Sequence, residues 1–229
     1  MCAVIGVLLA QATEENLSLV RNVFLESRIR GLHATGISFL QKNIKSIIDP
    51  VPADQFVNRH LTYPIENYLN SDGNLYMIGH CRYSTSDLEY NQPIYNDRAS
   101  IVHNGVISQE LYENWEKLYK IKTKTKNDSE LLLHTIENEP LQLWENASIA
   151  AIELHHERML IAYRNGKRPI YLTKLKNGYI ITSTKDIMTR ASKGKYEAKM
   201  LEMNQRVVMT AEDFSYRYIP TNSYDLQIH

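Results

Sequence analysis

The chain has 229 residues, with 26 basic side chains against 26 acidic ones and a hydrophobic content of 43%. Those values describe an ordinary globular domain and exclude disordered and collagen-like classes. A formal charge of zero provides no whole-molecule field to draw the protein to DNA or to an anionic membrane, so neither partner is expected. Two cysteines cannot build a disulfide framework, and their spacing is not that of structural zinc. A chain of this length buries roughly 70% of the surface its unfolded form exposes.

The apolar start, Met1 to Ala12, has no Lys or Arg before it, which argues against a secretory leader. It reads instead as a strand, Cys2 to Leu9, in a sheet covered on both faces. No stretch approaches the roughly 20 apolar residues needed to span a bilayer. A cytoplasmic protein with reduced thiols is expected.

Leu17, Val20 and Phe24 keep a helical spacing from Thr13 to Ile29, with Arg30-Gly31 as the stop. Gly36 to Leu40 and Ile44 to Ile48 read as short strands, and a second helix is predicted over Ala53 to Leu69, around Pro64. Leu75 to Tyr83 and Ser100 to His103 follow as strands. Ile107, Leu111, Trp115 and Leu118 form a helical stripe, and Ser129 to Ile136 a short helix. After Asn146 come strands at Ser148 to His155, Met159 to Tyr163, Pro169 to Leu175 and Tyr179 to Ser183, separated by turns such as Asn165-Gly166 and Asn177-Gly178. A helix near Asp186 to Ala191 precedes final strands around Arg206 to Thr210 and Ser215 to Ile219. The pattern is one α+β domain rich in antiparallel strands, with helices packed on the sheets.

Four clusters bring reactive or charged groups to predicted element ends. Cys2, once Met1 is removed, carries a thiol beside a free α-amine that titrates near 8, so one residue supplies both nucleophile and base. In Gly79-His80-Cys81-Arg82-Tyr83-Ser84-Thr85, Arg82 offers a planar fork suited to a carboxylate. His103-Asn104-Gly105 places a side-chain amide beside a glycine N–H, a donor pair able to hold an oxyanion. In Asn127-Asp128-Ser129-Glu130, Asp128 is either a helix cap or the partner of a ligand ammonium.

The order and spacing of these clusters resemble the glutaminase domain of class-II glutamine amidotransferases, the N-terminal nucleophile hydrolases found in glucosamine-6-phosphate synthase and amidophosphoribosyltransferase. Arg30-Gly31-Leu32-His33-Ala34-Thr35-Gly36, Asn91-Gln92-Pro93 and, more weakly, Asn165-Gly166-Lys167-Arg168-Pro169 and Thr182-Ser183 extend the likeness over nearly the whole chain. The resemblance implies a four-layer αββα sandwich of two mainly antiparallel sheets, spanning residues 2–229 as a single domain. It also implies a mechanism. Cys2 attacks the γ-carboxamide of glutamine, and Asn104 with the Gly105 N–H stabilises the oxyanion. Arg82 takes the α-carboxylate and Asp128 the α-ammonium, with Thr85 and His103 also at the substrate. No cofactor is implied.

Two positions depart from the family pattern: Ala3, where Gly is usual, and His33, where Asp is usual. The second is expected to alter the hydrogen bonding around Arg30. Cys81 alternates away from its neighbours and reads as an inert core thiol. The five lysines between Lys117 and Lys126 read as an exposed edge strand kept from aggregating by Lys122, Lys124 and Lys126, or as a contact for a partner or phosphate. His155 and His156 fall on opposite faces of a strand, and His80, His103 and His134 lack a ligand set, so no metal is expected.

The chain contains no P-loop, dinucleotide fingerprint, sugar-isomerase or phosphoribosyltransferase segment. The ammonia acceptor is therefore expected on a separate synthase chain. Hydrolysis of another γ-glutamyl compound uses the same residues, and a non-catalytic assembly module that keeps the fold is the alternative from a different class.

Overall fold

The structure is a computed structural model that describes residues 1–84, 89–135, 148–203, 205–212 and 216–220. Its first sheet holds seven strands: β1 (Ala3–Leu9), β2 (Ala34–Leu40), β3 (Ile44–Asp49), β4 (Leu75–Arg82), β9 (Tyr171–Leu175), β10 (Gly178–Thr182) and β11 (Ala198–Met200). They run in the order β11-β9-β10-β1-β4-β2-β3. The second sheet holds β5 (Ile94–Tyr95), β6 (Ala99–Asn104), β7 (Ala150–His155), β8 (Met159–Arg164), β12 (Gln205–Thr210) and β13 (Tyr216–Pro220), in the order β13-β12-β8-β7-β6-β5. Every strand pairing among the described residues is antiparallel.

Strand alternation divides the apolar residues into three cores. Ile5, Val7, Met77 and Cys81 face α1 (Glu14–Ser27), α2 (Ala53–His60) and α5 (Lys185–Ala191) on the outside of the first sheet. Val4, Leu8, Tyr76 and Ile78 face Val102, Ile152 and Val207 between the sheets. Ile101, Ala151 and Tyr163 face Trp115 on α3 (Tyr112–Tyr119) and Leu131 on α4 (Ser129–Thr135). The result is the expected four-layer αββα sandwich. The apolar N-terminus is β1, buried along its full length at the centre of the first sheet. Thr13 starts α1 through a reciprocal capping box with Asn16. Among the described residues, no helix is long and apolar enough to cross a membrane.

Several elements differ from the sequence reading. The helix predicted over Ala53 to Leu69 stops at His60, because Pro64 disfavours helical geometry at Tyr63; only a short 3₁₀ turn, Ile65–Asn67, follows. The stripe from Ile107 to Leu118 is not one helical face. Ile107 precedes α3, Leu111 and Leu118 are 71% and 51% exposed, and only Trp115 among the α3 residues is buried. The segment 117–126 forms no edge strand. The Glu130 carboxylate instead accepts the main-chain N–H groups of Lys124 and Thr125 at 2.8 and 2.7 Å, which curls the segment against α4. β5 and β11, of two and three residues, carry too little pattern to be read from sequence. Ile136 and Ser215, and the side chain of His134, lie outside the described residues.

Candidate active site

The start of β1 lies against the end of β4, with Ala3 paired to Cys81 and Val4 to His80. Val4 on one strand and Tyr76 and Ile78 on the other face the space between the sheets. The same alternation turns Cys2, His80 and Arg82 toward that space. From the opposite sheet, Val102 faces inward, and Asn104, two residues on at the end of β6, follows it. The strand ends thus converge on a cavity of about 320 Å³ whose lining includes Cys2, His80, Arg82, His103, Gly105 and Asp128.

The main chain at Cys2 is fixed from the side. Arg30 Nε donates to the Cys2 carbonyl at 2.9 Å. Burial holds the Arg30 guanidinium below its ordinary value, partly offset by the nearby Cys2 thiol. Gly31 permits this approach, since a Cβ there would run into the Cys81 carbonyl. His33, expected to alter the bonding around Arg30, bonds the end of β4. Its N–H donates to the Arg82 carbonyl at 3.0 Å, and its Nδ1 accepts the Ser84 N–H at 2.8 Å. The Arg30–His33 turn therefore clamps the start of β1 and the end of β4 together. Ala3 lies in the strand with no positive φ, so the family glycine is not needed for backbone conformation. The Cys2 Sγ lies 3.8 Å from the Tyr83 carbonyl, and Met1 is 66% exposed.

Arg82 Nη1 donates to the Tyr90 carbonyl at 2.8 Å and to Asn91 Oδ1 at 2.6 Å. The same Tyr90 carbonyl accepts Asn127 Nδ2 at 3.1 Å, which ties the cation to the segment preceding α4. Asn127, not Asp128, serves the start of that helix: its Oδ1 accepts the Ser129 N–H at 3.0 Å and the Ser129 hydroxyl at 2.7 Å. The Asp128 carboxylate is directed instead to the Ile107 N–H at 2.7 Å and lies 3.5 Å from His103 Nε2. One cavity thus presents a guanidinium and a carboxylate, complementary to a zwitterion.

Asn104 is 3% exposed, and its amide nitrogen has no hydrogen-bond partner. Asn104 itself is not among the residues that line the cavity, whereas its neighbour Gly105 is. Gly105 has φ +143°, a conformation that side chains disfavour, and this re-aims the chain as it leaves β6. His103 turns to the outer layer, where Nδ1 lies 2.7 Å from Ser129 Oγ. Burial lowers its proton affinity, opposed by the Asp128 carboxylate. Cys81 is fully buried on the helix side of β4, and burial pushes its thiol up to about 12. Thr85 lies outside the described residues.

The lining also includes Gln92, Lys126 and His80, to which the sequence reading gave no part in substrate binding. Gln92 Oε1 accepts the His103 N–H at 2.6 Å, which steadies the end of β6. Lys126, read there as an edge-strand charge, also lines the cavity. His80 lines the cavity and is 1% exposed. Away from the cavity, His155 Nε2 lies 3.1 Å from Glu153 and His156 Nδ1 lies 2.9 Å from the Arg98 carbonyl. No cluster of three or more His, Cys, Asp or Glu among the described residues is arranged to hold a metal.

Residues 66–221 match the family model of the glutamine amidotransferase domain. The chain belongs to that family. The matched span contains Arg82, Asn104, Gly105 and Asp128, while Cys2 and Arg30 precede it. The fold of this glutamine amidotransferase domain is that of solved class-II enzymes. Glutamine phosphoribosylpyrophosphate amidotransferase from B. subtilis superposes with a TM-score of 0.71 at 18% identity, over 96% of this chain and 49% of that one. A structure described as the allosteric regulatory enzyme of purine biosynthesis gives 0.73 at 18% identity, with the same two coverages. A glutamine aminotransferase class-II domain protein from Silicibacter pomeroyi gives 0.54 at 12% identity, over 96% of this chain and 99% of that one. The chain spans about half the length of the first two. Comparison with curated proteins gives no sequence match.

Proposed function

We propose that this domain hydrolyses the side-chain amide of glutamine through a γ-glutamyl thioester on Cys2. Removal of Met1, whose exposure leaves it open to processing, frees the Cys2 amine. That amine takes the thiol proton, and the thiolate attacks the γ-carbonyl. The carbonyl becomes an oxyanion held by Asn104 Nδ2 and the Gly105 N–H. The tetrahedral intermediate collapses, the amine returns its proton to the leaving nitrogen, and ammonia departs. Water then attacks the thioester, and glutamate is released with the thiol restored.

Arg82 and Asp128 orient the substrate by its α-carboxylate and α-ammonium, with His103 and Gln92 holding the Asp128 side of the pocket. Thr85 belongs to the same reading as a further substrate contact. The observation that carries it is the buried, unpartnered Asn104 amide beside the positive-φ Gly105, at the end of the strand facing Cys2. A donor left unpaired in a buried position is costly unless a ligand supplies the acceptor. We also propose that the ammonia passes to a synthase on a separate chain.

Asn104→Ala tests the assignment. Losing one oxyanion donor costs about 3–4 kcal/mol at the transition state, so turnover should fall by a few hundred-fold with the fold retained. Wild-type turnover in that variant rejects the assignment.

A further inference from the structure

His80 is an unassigned group aimed into the proposed glutamine site. It sits at the end of β4, on the strand face that turns toward the second sheet. Its ring lies near the His103 backbone across the two sheets, and its Nε2 is buried with no hydrogen-bond partner. Burial, helped by neighbouring His103 and Arg82, lowers the imidazole to about 3, so the ring is neutral at physiological pH. The neutral ring carries a single proton, which we assign to Nδ1. Nε2 is then a fixed lone pair, an acceptor only.

Two buried orphans of opposite kind therefore face the interval between the sheets: Asn104 Nδ2, a donor, and His80 Nε2, an acceptor. A primary carboxamide has the complementary pair, a carbonyl oxygen and an N–H. A carboxylate or an ester has no N–H to offer. We infer that His80 Nε2 accepts a hydrogen bond from the carboxamide nitrogen of the substrate, making His80 the residue that selects amide over acid or ester. The inference rests on the proposed glutaminase reading and adds a specificity determinant to it. It also gives the product a reason to leave: once ammonia is lost, the glutamate carboxylate presents oxygen lone pairs to the Nε2 lone pair.

The test uses the full chain with Cys2 confirmed as the N-terminus by intact mass, and compares L-glutamine with the γ-methyl ester of L-glutamate. His80→Asn keeps a donor near the Nδ1 position and removes the Nε2 acceptor. A lost buried hydrogen bond corresponds to about a 10–100-fold effect, so kcat/KM for glutamine should fall by that factor and ester hydrolysis by less than about threefold. An equal fall for both substrates, or no fall for glutamine, overturns the role of His80. If His80→Asn does not fold, the ¹⁵N resonance of His80 Nε2 in Cys2→Ala protein gives the answer: it should shift on adding glutamine and not on adding glutamate. No shift with glutamine, or the same shift with both, overturns it. Wild-type protein that cleaves neither substrate contradicts the glutaminase reading itself, and ester cleavage without amide cleavage contradicts the selection of amide.

Discussion

Arg30 donates its Nε–H to the carbonyl oxygen of Cys2 at 2.9 Å, so the residue that carries the thiol is held through its main chain by a half-buried cation from a different element. A free N-terminal residue with one neighbour would otherwise sample many positions. The bond leaves both the thiol and the α-amine available for chemistry.

Arg30→Ala should therefore damage catalysis more than folding. A hydrogen bond to a charged group contributes about 1.5–3 kcal/mol, which corresponds to roughly a 10–100-fold fall in kcat/KM for glutamine. Arg30→Lys should not restore it, because a lysine ammonium cannot reproduce the planar Nε–H while spanning the same turn. Steady-state kinetics on both variants check this, with a thermal melt to confirm folding.

Gly105→Ala should lose stability and activity together. The backbone there has φ +143°, and an added Cβ would lie 2.5 Å from the Ser148 carbonyl and 2.8 Å from Ile149 Cγ2. Strain of this kind costs on the order of 1–3 kcal/mol before the clash is counted. Urea denaturation should show at least that loss. Unchanged stability would mean that the turn after β6 is free to relax, in disagreement with this geometry.

Acid should weaken the fold through the buried histidines. His80 titrates near 3 in the folded chain and near 6.5 in the unfolded one. The stability linked to it is complete above about 6.5. As pH falls below that value, the unfolded state binds a proton that the folded state refuses, and stability drops by up to about 1.4 kcal/mol per pH unit until the folded value is approached. His103, also lowered by burial, acts in the same direction. Denaturation curves between pH 7 and pH 5 should show this slope, and it should be smaller in His80→Asn. An equal slope in that variant would assign the acid sensitivity to other groups.

The sequence exposed the strands and the identity of the reactive groups better than it exposed their supports. Val4, Val7 and Leu8 mark a buried strand by composition alone, and the glycine-punctuated clusters fall at element ends, as read. Cys81 was legible as core because period-two alternation between Gly79 and Arg82 leaves one choice of face. Asp128 could not be told from a helix cap, since Asn127, one residue earlier, has the same capping chemistry and takes that part. The Ile107–Leu118 stripe failed for a related reason: the Ile107 N–H is committed to the Asp128 carboxylate, a contact between residues 21 apart that no local window contains. The lysine-rich segment alternated like a strand, but Glu130 captured its N–H groups first. His80 was visible as a residue and not as a site; its meaning lies in an unpaired ring nitrogen, which only the packing of two sheets reveals.

The most direct test of the central claim is stoichiometric product release from L-glutamine by the processed chain, wild type against Cys2→Ala. The wild type should release equal amounts of glutamate and ammonia and the variant none above background, with a γ-glutamyl mass adduct confined to residue 2 when the reaction is quenched in acid. Full activity in Cys2→Ala, or no glutamate from wild-type protein whose N-terminus is confirmed as Cys2, would contradict it.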